Sequence, residues 1–513
     1  MEDKLMPAKS NELKIEDKLW EACDKLRGSM DQSTYRNVVL GLIFLKYVSD
    51  TFEERHAELE ATEYPEDAED RDFYDAENIF WLPENARWSV IAAAAKTPDV
   101  GTVIDAAMTS IENENDSIKG VLPKNYASDD LSKERLGEVI DLFTDVQVGD
   151  EESRKNDVLG RVYEFFLRKF ATNGDGEFYT PRSIVRTLVD MIQPFSGKIY
   201  DPCCGSGGMF VQSEEFVSEH QGNILDLSVY GQEWNPTTWR LAKMNLAIHG
   251  IDNNLGPRNA NTLLDDQHRG ERFDYALANP PFNVKDWGAD KVADDARWKW
   301  GVPGNSNANY AWIEHILSKL APDGKAGIVL ANGALSTSTK DELAIRKALL
   351  EDHKVDAIVA MPTQMFYSVS IPVAVWIFDM DQASEGERDR TGETLFIDAR
   401  ELGKMTDRTH REFTREDIDK IASVYHAYNG TSGEIYKDVL GFCKAVQLKE
   451  IKTNDYVLTP GRYVGLAHQE QMSDEDYDVE MNKISADLQD QFKQGNILQQ
   501  RILKNLRGIG YGK

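Results

Sequence analysis

The chain has 513 residues, too many for one compact core, and its 41% hydrophobic content suits a globular protein of two or three domains. A formal net charge of −30 argues against a chain that grips nucleic acid unaided, because phosphate contacts need lysine and arginine. Four cysteines without CxxC spacing argue against a zinc site or a disulfide framework, and with no long apolar run and no signal-like start a soluble, cytoplasmic protein is expected.

Residues 13 to 60 read as helices: LKIEDKLWEACDKLRG carries apolar positions at helical spacing, and an apolar stripe runs from Tyr35 to Phe52. Residues 61 to 78 read as an acidic loop, and Trp88 to Phe143 as mainly helical again. Residues 1–150 are therefore expected to form an α-rich docking domain without strand–helix alternation. The pattern changes near residue 155. A helix from Asp157 to Phe170 leads into the Gly-rich turn ATNGDGEFYTPRS, and another helix is expected after Pro181. Strands are then expected at the start of KIYDPCCGSGG, SVYGQEW, Asn259 to Leu263, FDYALANPP, GKAGIVLAN, VDAIVAMP and VAVWIFDM, with helices at Pro236 to His249, Asn309 to Leu320 and Lys340 to Glu351. Such alternation implies a doubly wound, mainly parallel α/β sheet. Further on, TLFIDAR reads as one more strand, LTPGRYVG as a loop or extended segment, and Asp474 to Arg507 as a helical tail.

Three stretches carry chemistry. DPCCGSGGMF follows a strand and precedes a helix, so Gly205, Gly207 and Gly208 let the backbone turn tightly and approach a ligand. It lacks Gly-Lys-Ser/Thr and the GxGxxG spacing, and the acid at the strand end, Asp201, suits a cationic group such as an amino acid's ammonium. Alone, such a loop is more often a plain tight turn. The second strand ends in Glu233, where an acid in a doubly wound fold hydrogen-bonds ribose hydroxyls; a solvated carboxylate is the alternative. The third stretch, FDYALANPPF, ends a strand in Asn279, Pro280, Pro281 and Phe282. The exocyclic amine of adenine is a weak nucleophile because its lone pair is delocalised into the ring. Two acceptors on its hydrogens, the Asn279 amide oxygen and the Pro280 carbonyl, would favour a more tetrahedral nitrogen, and Phe282 would stack on the base. Such a pocket works only on a base taken out of the duplex. A proline-ended strand with a buried phenylalanine is the competing reading.

Together these motifs resemble the S-adenosylmethionine-dependent amino-methyltransferases. FYTP, Phe178 to Pro181, precedes the Gly loop, as in the gamma order of adenine-N6 DNA methyltransferases. The similarity is closer to the modification (M) subunits of type I restriction-modification systems. It rests on LWEACDKLRGSMDQSTYRNVVLGLIFLKYVSD, EFYTPRSIV, DPCCGSGG, ANPPFN, NANYAWIEHIL, MPTQMFYSVSIPVAVWIF and LTPGRYVG, spanning residues 19 to about 465.

The resemblance implies the class I S-adenosylmethionine-dependent methyltransferase fold, a doubly wound, mostly parallel seven-stranded sheet, with an N-terminal helical domain (1–150), a catalytic domain (151–465) and a helical C-terminal tail (466–513). It implies a cofactor site lined by Glu177, Phe178, Tyr179, Thr180, Pro181 and Arg182, with Ser206, Gly207 and Gly208 at the methionine part, Asp201 near its ammonium, Glu233 on the ribose and Asp265 near the adenine. Asn279, Pro280, Pro281 and Phe282 would hold the target adenine, and no metal is implied. The family often has Asn-Ala-Asp where this chain has Asn307-Ala308-Asn309.

The acidity then acquires a meaning. In this family, recognition is delegated to a separate specificity (S) subunit flanked by two M subunits, often with a restriction (R) subunit, so DNA is bound through the complex. Lys285, Lys291, Arg297 and Lys299 sit among Trp287, Trp298 and Trp300. This suits either a target-strand contact or packed core. Methylation of another amino group, a non-catalytic scaffold and a dinucleotide-dependent oxidoreductase are the alternatives; the motif order, the intact motif residues and the glycine spacing weigh against each in turn.

Overall fold

The computed structural model describes residues 19–145, 158–172, 180–223, 226–366 and 371–465, apart from some positions between 22 and 29, together with scattered positions between 481 and 504. The N-terminal region is built on α1 (Gln32–Glu60), capped by Asp31, whose Oδ1 accepts from the Ser33 and Thr34 amides at 3.0 Å each. Its apolar stripe, including Val38, Leu42 and Leu45, is fully buried. Around it pack α2 (Trp88–Ala94), α3 (Val100–Glu114), α4 (Lys133–Asp145) and α5 (Val158–Thr172). Trp20 lies 5.2 Å from the Phe166 ring and 5.1 Å from the Phe170 ring, which ties α5 into this helical core. Residues 61–78 are more ordered than a loop: they hold a 3-10 turn at Pro65–Glu69 and a short helix at Asp72–Asp75. The cause is Tyr74, buried against α1, with its ring stacked 4.8 Å from that of Phe52 and its hydroxyl donating to the Ala68 carbonyl at 2.7 Å.

The rest is organised by a nine-stranded sheet. Its strands are β1 (Gly197–Asp201), β2 (Leu227–Gly231), β3 (Asn253–Asn254), β4 (Phe273–Ala278), β5 (Leu320–Ala331), β6 (Val355–Ala360), β7 (Val373–Asp379), β8 (Glu393–Asp398) and β9 (Cys443–Gln447). In space they run β3-β2-β1-β4-β5-β7-β6-β8-β9. β7 is antiparallel to β5 and β6, β9 is antiparallel to β8, and the remaining pairings are parallel. The first seven strands are the expected doubly wound sheet; β8, read from TLFIDAR, and β9 extend it at one edge. The third strand departs from expectation. It is only two residues long, at Asn253–Asn254, and Asn259 to Leu263 forms a turn in which the Leu264 and Asp265 amides donate to the Asn261 carbonyl at 3.0 and 2.7 Å.

Every residue of β6 and β7 is buried, as a central strand covered on both faces requires. One face carries α6 (Arg182–Ile192), α7 (Gly208–Glu219), α8 (Pro236–Ile248) and α11 (Arg415–Asn429); the other carries α9 (Asn309–Lys319) and α10 (Lys340–Glu351). Leu241, Met244 and Ile248 of α8 also belong to the N-terminal core, so that helix joins the two regions. No helix among the described residues is long and apolar enough to cross a membrane. The expected C-terminal tail lies largely outside the described residues; its described positions between 481 and 504 are helical and exposed.

After β1 the chain builds β2 and β3 on one side, then returns to add β4 on the other. Ligands of doubly wound sheets bind in the crevice beyond the strand ends at such a reversal. β1 and β4 are parallel neighbours, with Tyr200 opposite Ala276, so the segments that leave their carboxyl ends emerge side by side.

Candidate active site

Those two segments are the glycine loop and the Asn279 turn. The loop is shaped by backbone that only glycine adopts cheaply: Gly205 has φ 55° and Gly207 φ 84°, and a Cβ on Gly207 would lie 3.3 Å from Leu246. A Cβ on Gly208, by contrast, would meet nothing within 4 Å, which leaves open space beside the first turn of α7. Asp201, at the end of β1, is 2% exposed, and its Oδ1 accepts from the Cys203 amide at 3.0 Å. Burial pushes its pKa up to about 7 against that hydrogen bond, and the neighbouring charge of Glu233 adds to the rise. Glu233, just past β2, closes the loop from the other side: its Oε2 accepts from the Gly205 amide at 3.1 Å and its Oε1 from Asn235 at 2.8 Å. Two carboxyl groups thus flank the glycine turn.

Beyond β4, Asn279 is 7% exposed. Its Nδ2 donates to Thr180 Oγ1 at 2.9 Å, which brings together the two motifs, FYTP and NPPF, that lie 99 residues apart. Its Oδ1 is buried and has no hydrogen-bond partner among the described residues. A buried amide oxygen in this state is costly unless something fills the place opposite it. Pro280 is buried, and Pro281 and Phe282 are half-buried. The Phe282 ring meets Phe366 edge-on, with centroids 5.8 Å apart and planes at 82°.

The remaining motif residues divide. Pro181 is buried and precedes α6, the helix expected after it. Arg182 is held by α7, where Gln212 and Glu215 accept from its guanidinium at 3.1 and 2.6 Å. Ser206 offers its carbonyl to Asn245 Nδ2 at 2.9 Å. The Asp265 carboxylate is held by Arg258 at 2.7 Å; what reaches inward is its carbonyl, which accepts from Gln232 Nε2 at 2.8 Å. Glu177, Phe178 and Tyr179 lie outside the described residues. The tryptophan loop is packed core: Trp287, Trp298 and Trp300 are at most 9% exposed, and Arg297 holds the Leu263 carbonyl at 2.7 Å.

Three supporting residues escaped the sequence reading. Asn245 (1% exposed) braces the glycine loop from α8, and a polar residue on the apolar stripe of LAKMNLAIHG was the available signal. Gln232, fully buried, ties the β2 end to the turn after β3. Phe366 had no local signal, since its partner Phe282 lies in a distant loop.

Known proteins resemble this chain along most of its length. The N-6 DNA Methylase family model matches residues 154–472, and the HsdM N-terminal domain model matches residues 15–143. The Type I restriction enzyme HindI methylase subunit of Haemophilus influenzae is 42% identical over 454 residues, covering 84% of this chain and 100% of that protein. The Type I restriction enzyme MjaIX methylase subunit of Methanocaldococcus jannaschii is 38% identical over 521 residues, covering 97% and 92% respectively. Among solved structures, the type I restriction-modification system methyltransferase subunit from Streptococcus thermophilus superposes with a TM-score of 0.74 at 26% identity, covering 88% of this chain and 99% of that one. A chain of another type I R-M system shares the fold with a TM-score of 0.59 at 18% identity, covering 97% and 99%.

Proposed function

The chain belongs to the N-6 DNA Methylase family, as the methylase subunit of a type I restriction-modification system that methylates adenine N6 in DNA, and from that premise we propose how its site does so. The methyl donor is S-adenosylmethionine, bound between the glycine loop and the end of β2. The residues fit it. Asp201 and Glu233 offer two carboxyl groups, one for an ammonium and one for ribose hydroxyls, and the space beside Gly208 admits the methionine part. Thr180, Pro181 and Ser206 line the same cleft; the part that the family resemblance gives Glu177, Phe178 and Tyr179 falls outside the described residues. Arg182 belongs to the same lining while Gln212 and Glu215 of α7 hold its guanidinium, and Asp265 to the adenine end while its carbonyl accepts from Gln232.

When bound, this cofactor supplies a methyl group on a sulfonium, an electrophile strong enough to need no metal and no covalent enzyme intermediate. The chain's own work is to orient the acceptor. Thr180 holds the Asn279 amide so that Oδ1 accepts one hydrogen of the adenine amine, while the Pro280 carbonyl accepts the other and Pro281 keeps Pro280 extended. Phe282 stacks on the flipped base. Alignment and polarisation of this kind account for large accelerations, and the proton that N6 gives up on methylation would pass to water. The observation that carries the reading is the buried Asn279 Oδ1, without a partner among the described residues and locked by Thr180 beside the glycine loop.

DNA is reached through a complex of two such chains with one specificity subunit, joined by a restriction subunit, in the cytoplasm. The net charge of −30 supports delegated DNA recognition. Residues 1–150 and 466–513 are the docking regions and 151–465 the catalytic domain; exposed Leu488, Phe492, Leu498 and Ile502 support the tail's part in this. The test is isotope transfer from methyl-labelled S-adenosylmethionine to cognate DNA by the reconstituted complex, followed by digestion to nucleosides. Label in N6-methyladenine is expected; label in another base, or tight sequence-specific DNA binding by the chain alone, would refute the assignment.

A further inference from the structure

Three asparagines meet immediately beyond Phe282. Asn283 has φ 56°, a left-handed conformation that asparagine adopts more readily than other residues with side chains and that its surroundings here fix. The holding is done by Asn309. The Asn283 amide donates to Asn309 Oδ1 at 3.0 Å, and Asn309 Nδ2 donates back to Asn283 Oδ1 at 3.0 Å. Asn307 adds a third bond, its Nδ2 donating to Asn283 Oδ1 at 3.3 Å, while its own Oδ1 accepts from the Asn309 amide at 3.0 Å. Asn309 is 1% exposed and opens α9, a helix with ten buried residues, so it is a fixed point against which a loop can be set.

The Asn279–Phe282 turn is therefore anchored at both ends. Thr180 holds its first residue through a side chain, and Asn309 holds the residue after its last through backbone and side chain together. Asn309 both accepts and donates here, which an amide does and an ionised carboxylate does not.

Resting on the reading of this turn as the target-base clamp, we propose that Asn309 is a positioning residue for methyl transfer: by fixing Asn283 it sets where the amide oxygen, the Pro280 carbonyl and the Phe282 ring meet the base. Asn309 touches neither base nor cofactor. Its loss lets the turn drift while the glycine loop stays in place, so it separates turnover from cofactor binding. Displacing reacting groups by about an ångström costs on the order of 100-fold in rate.

The test uses the full chain reconstituted with its specificity partner. Asn309→Ala is expected to lower kcat by about 100-fold with the Kd for S-adenosylmethionine unchanged. Asn309→Asp keeps the acceptor for the Asn283 amide, and rotation of the Asn283 side chain lets its Nδ2 donate to the new carboxylate at the cost of the longer Asn307 bond, so kcat recovers to within roughly tenfold of wild type. Asn283→Gly keeps the left-handed backbone without the side chain and falls between the two; it also serves if Asn309→Ala does not fold. With 2-aminopurine at the target position, the fluorescence rise on base flipping is expected to shrink in the order of the kcat losses. Unchanged kcat in Asn309→Ala overturns the proposal. So does equal impairment of the Ala and Asp variants with cofactor affinity lost in both, which would make Asn309 a folding residue only. A wild-type complex that forms no N6-methyladenine instead refutes the clamp reading itself, and this proposal with it.

Discussion

The two ends of the sheet match their buried charges differently. At the amino end of β6, the Arg390 guanidinium is fully buried, with Asp356 at 3.1 Å, Asp379 at 2.8 Å and Glu387 at 2.8 Å. Tyr425 donates to the second Asp356 oxygen at 2.8 Å, and Lys325 bridges Asp379 and Glu387. A cavity of about 460 Å³ opens nearby, but Lys325 and Glu387 in its lining already neutralise each other. At the carboxyl end, among the described residues, the Asn279 amide oxygen has no partner and Asp201 faces no cation, and the backbone of Gly207 and Asn283 is left-handed. A buried group that has its partner holds the fold together; one kept waiting at the crevice of a doubly wound sheet marks where a ligand completes it.

The sharpest way to break this contrast is to remove one group from each end. Asn279→Ala is expected to reduce methyl transfer by at least about 1,000-fold in a labelled-cofactor assay with the partner subunit, while calorimetry gives an unchanged cofactor Kd. Turnover near wild type would remove Asn279 from the chemistry. Arg390→Met at the other end leaves Asp356 buried without its cation and Asp379 with Lys325 alone, at an expected cost of about 3–5 kcal/mol in denaturant unfolding, with cofactor affinity of the folded fraction retained. A stability loss under about 1 kcal/mol would show that the network contributes little.

The same contrast explains what the sequence disclosed. Central strands read well because burial on both faces turns them into continuous apolar runs, as in VDAIVA and VAVWIFD. The glycine loop and NPPF read well because glycine and proline constrain the backbone locally, wherever the partners lie. β3 did not, since two asparagines at a sheet edge carry no apolar signal, and the Leu-rich letters nearby belong to a turn built on Asn261. β9 went unread for a related reason, as an edge strand with two of its five residues half-buried. The tryptophan loop stayed open between a target-strand contact and packed core because spacing does not tell which way an indole faces; Trp287 and Trp298 donate inward to the Gly304 and Val292 carbonyls. The Arg390 network draws its acids from positions 356, 379 and 387, a clustering that exists only after folding.

A smaller effect sharpens the comparison through pH. Asp201 goes from 3.8 to about 7 on folding, so between those values the folded chain keeps a proton that the unfolded chain has lost. Its contribution to stability therefore declines as pH rises through that window and is constant above it. Binding of an ammonium runs the other way, because only the ionised carboxylate attracts it. Cofactor affinity is expected to tighten about fivefold from pH 6 to pH 7, below the range in which an α-amino group itself titrates, and the dependence is expected to vanish in Asp201→Asn. An identical pH profile in the two proteins would detach Asp201 from the ammonium.

The smallest expected effect concerns Phe366, 4% exposed in the segment after β6, whose ring braces Phe282 edge-on. Edge-to-face pairs contribute about 0.5–1.5 kcal/mol beyond area burial, so Phe366→Leu, which keeps most of the volume, is expected to lower kcat/KM for DNA by roughly two- to tenfold with the cofactor Kd unchanged. Phe282 belongs to the target side of the cleft, and its brace must act on that side alone. Should Phe366→Leu weaken the cofactor and leave the DNA terms untouched, the ring would serve the donor pocket, and the division of the carboxyl end into donor and acceptor halves would have to be redrawn around β6.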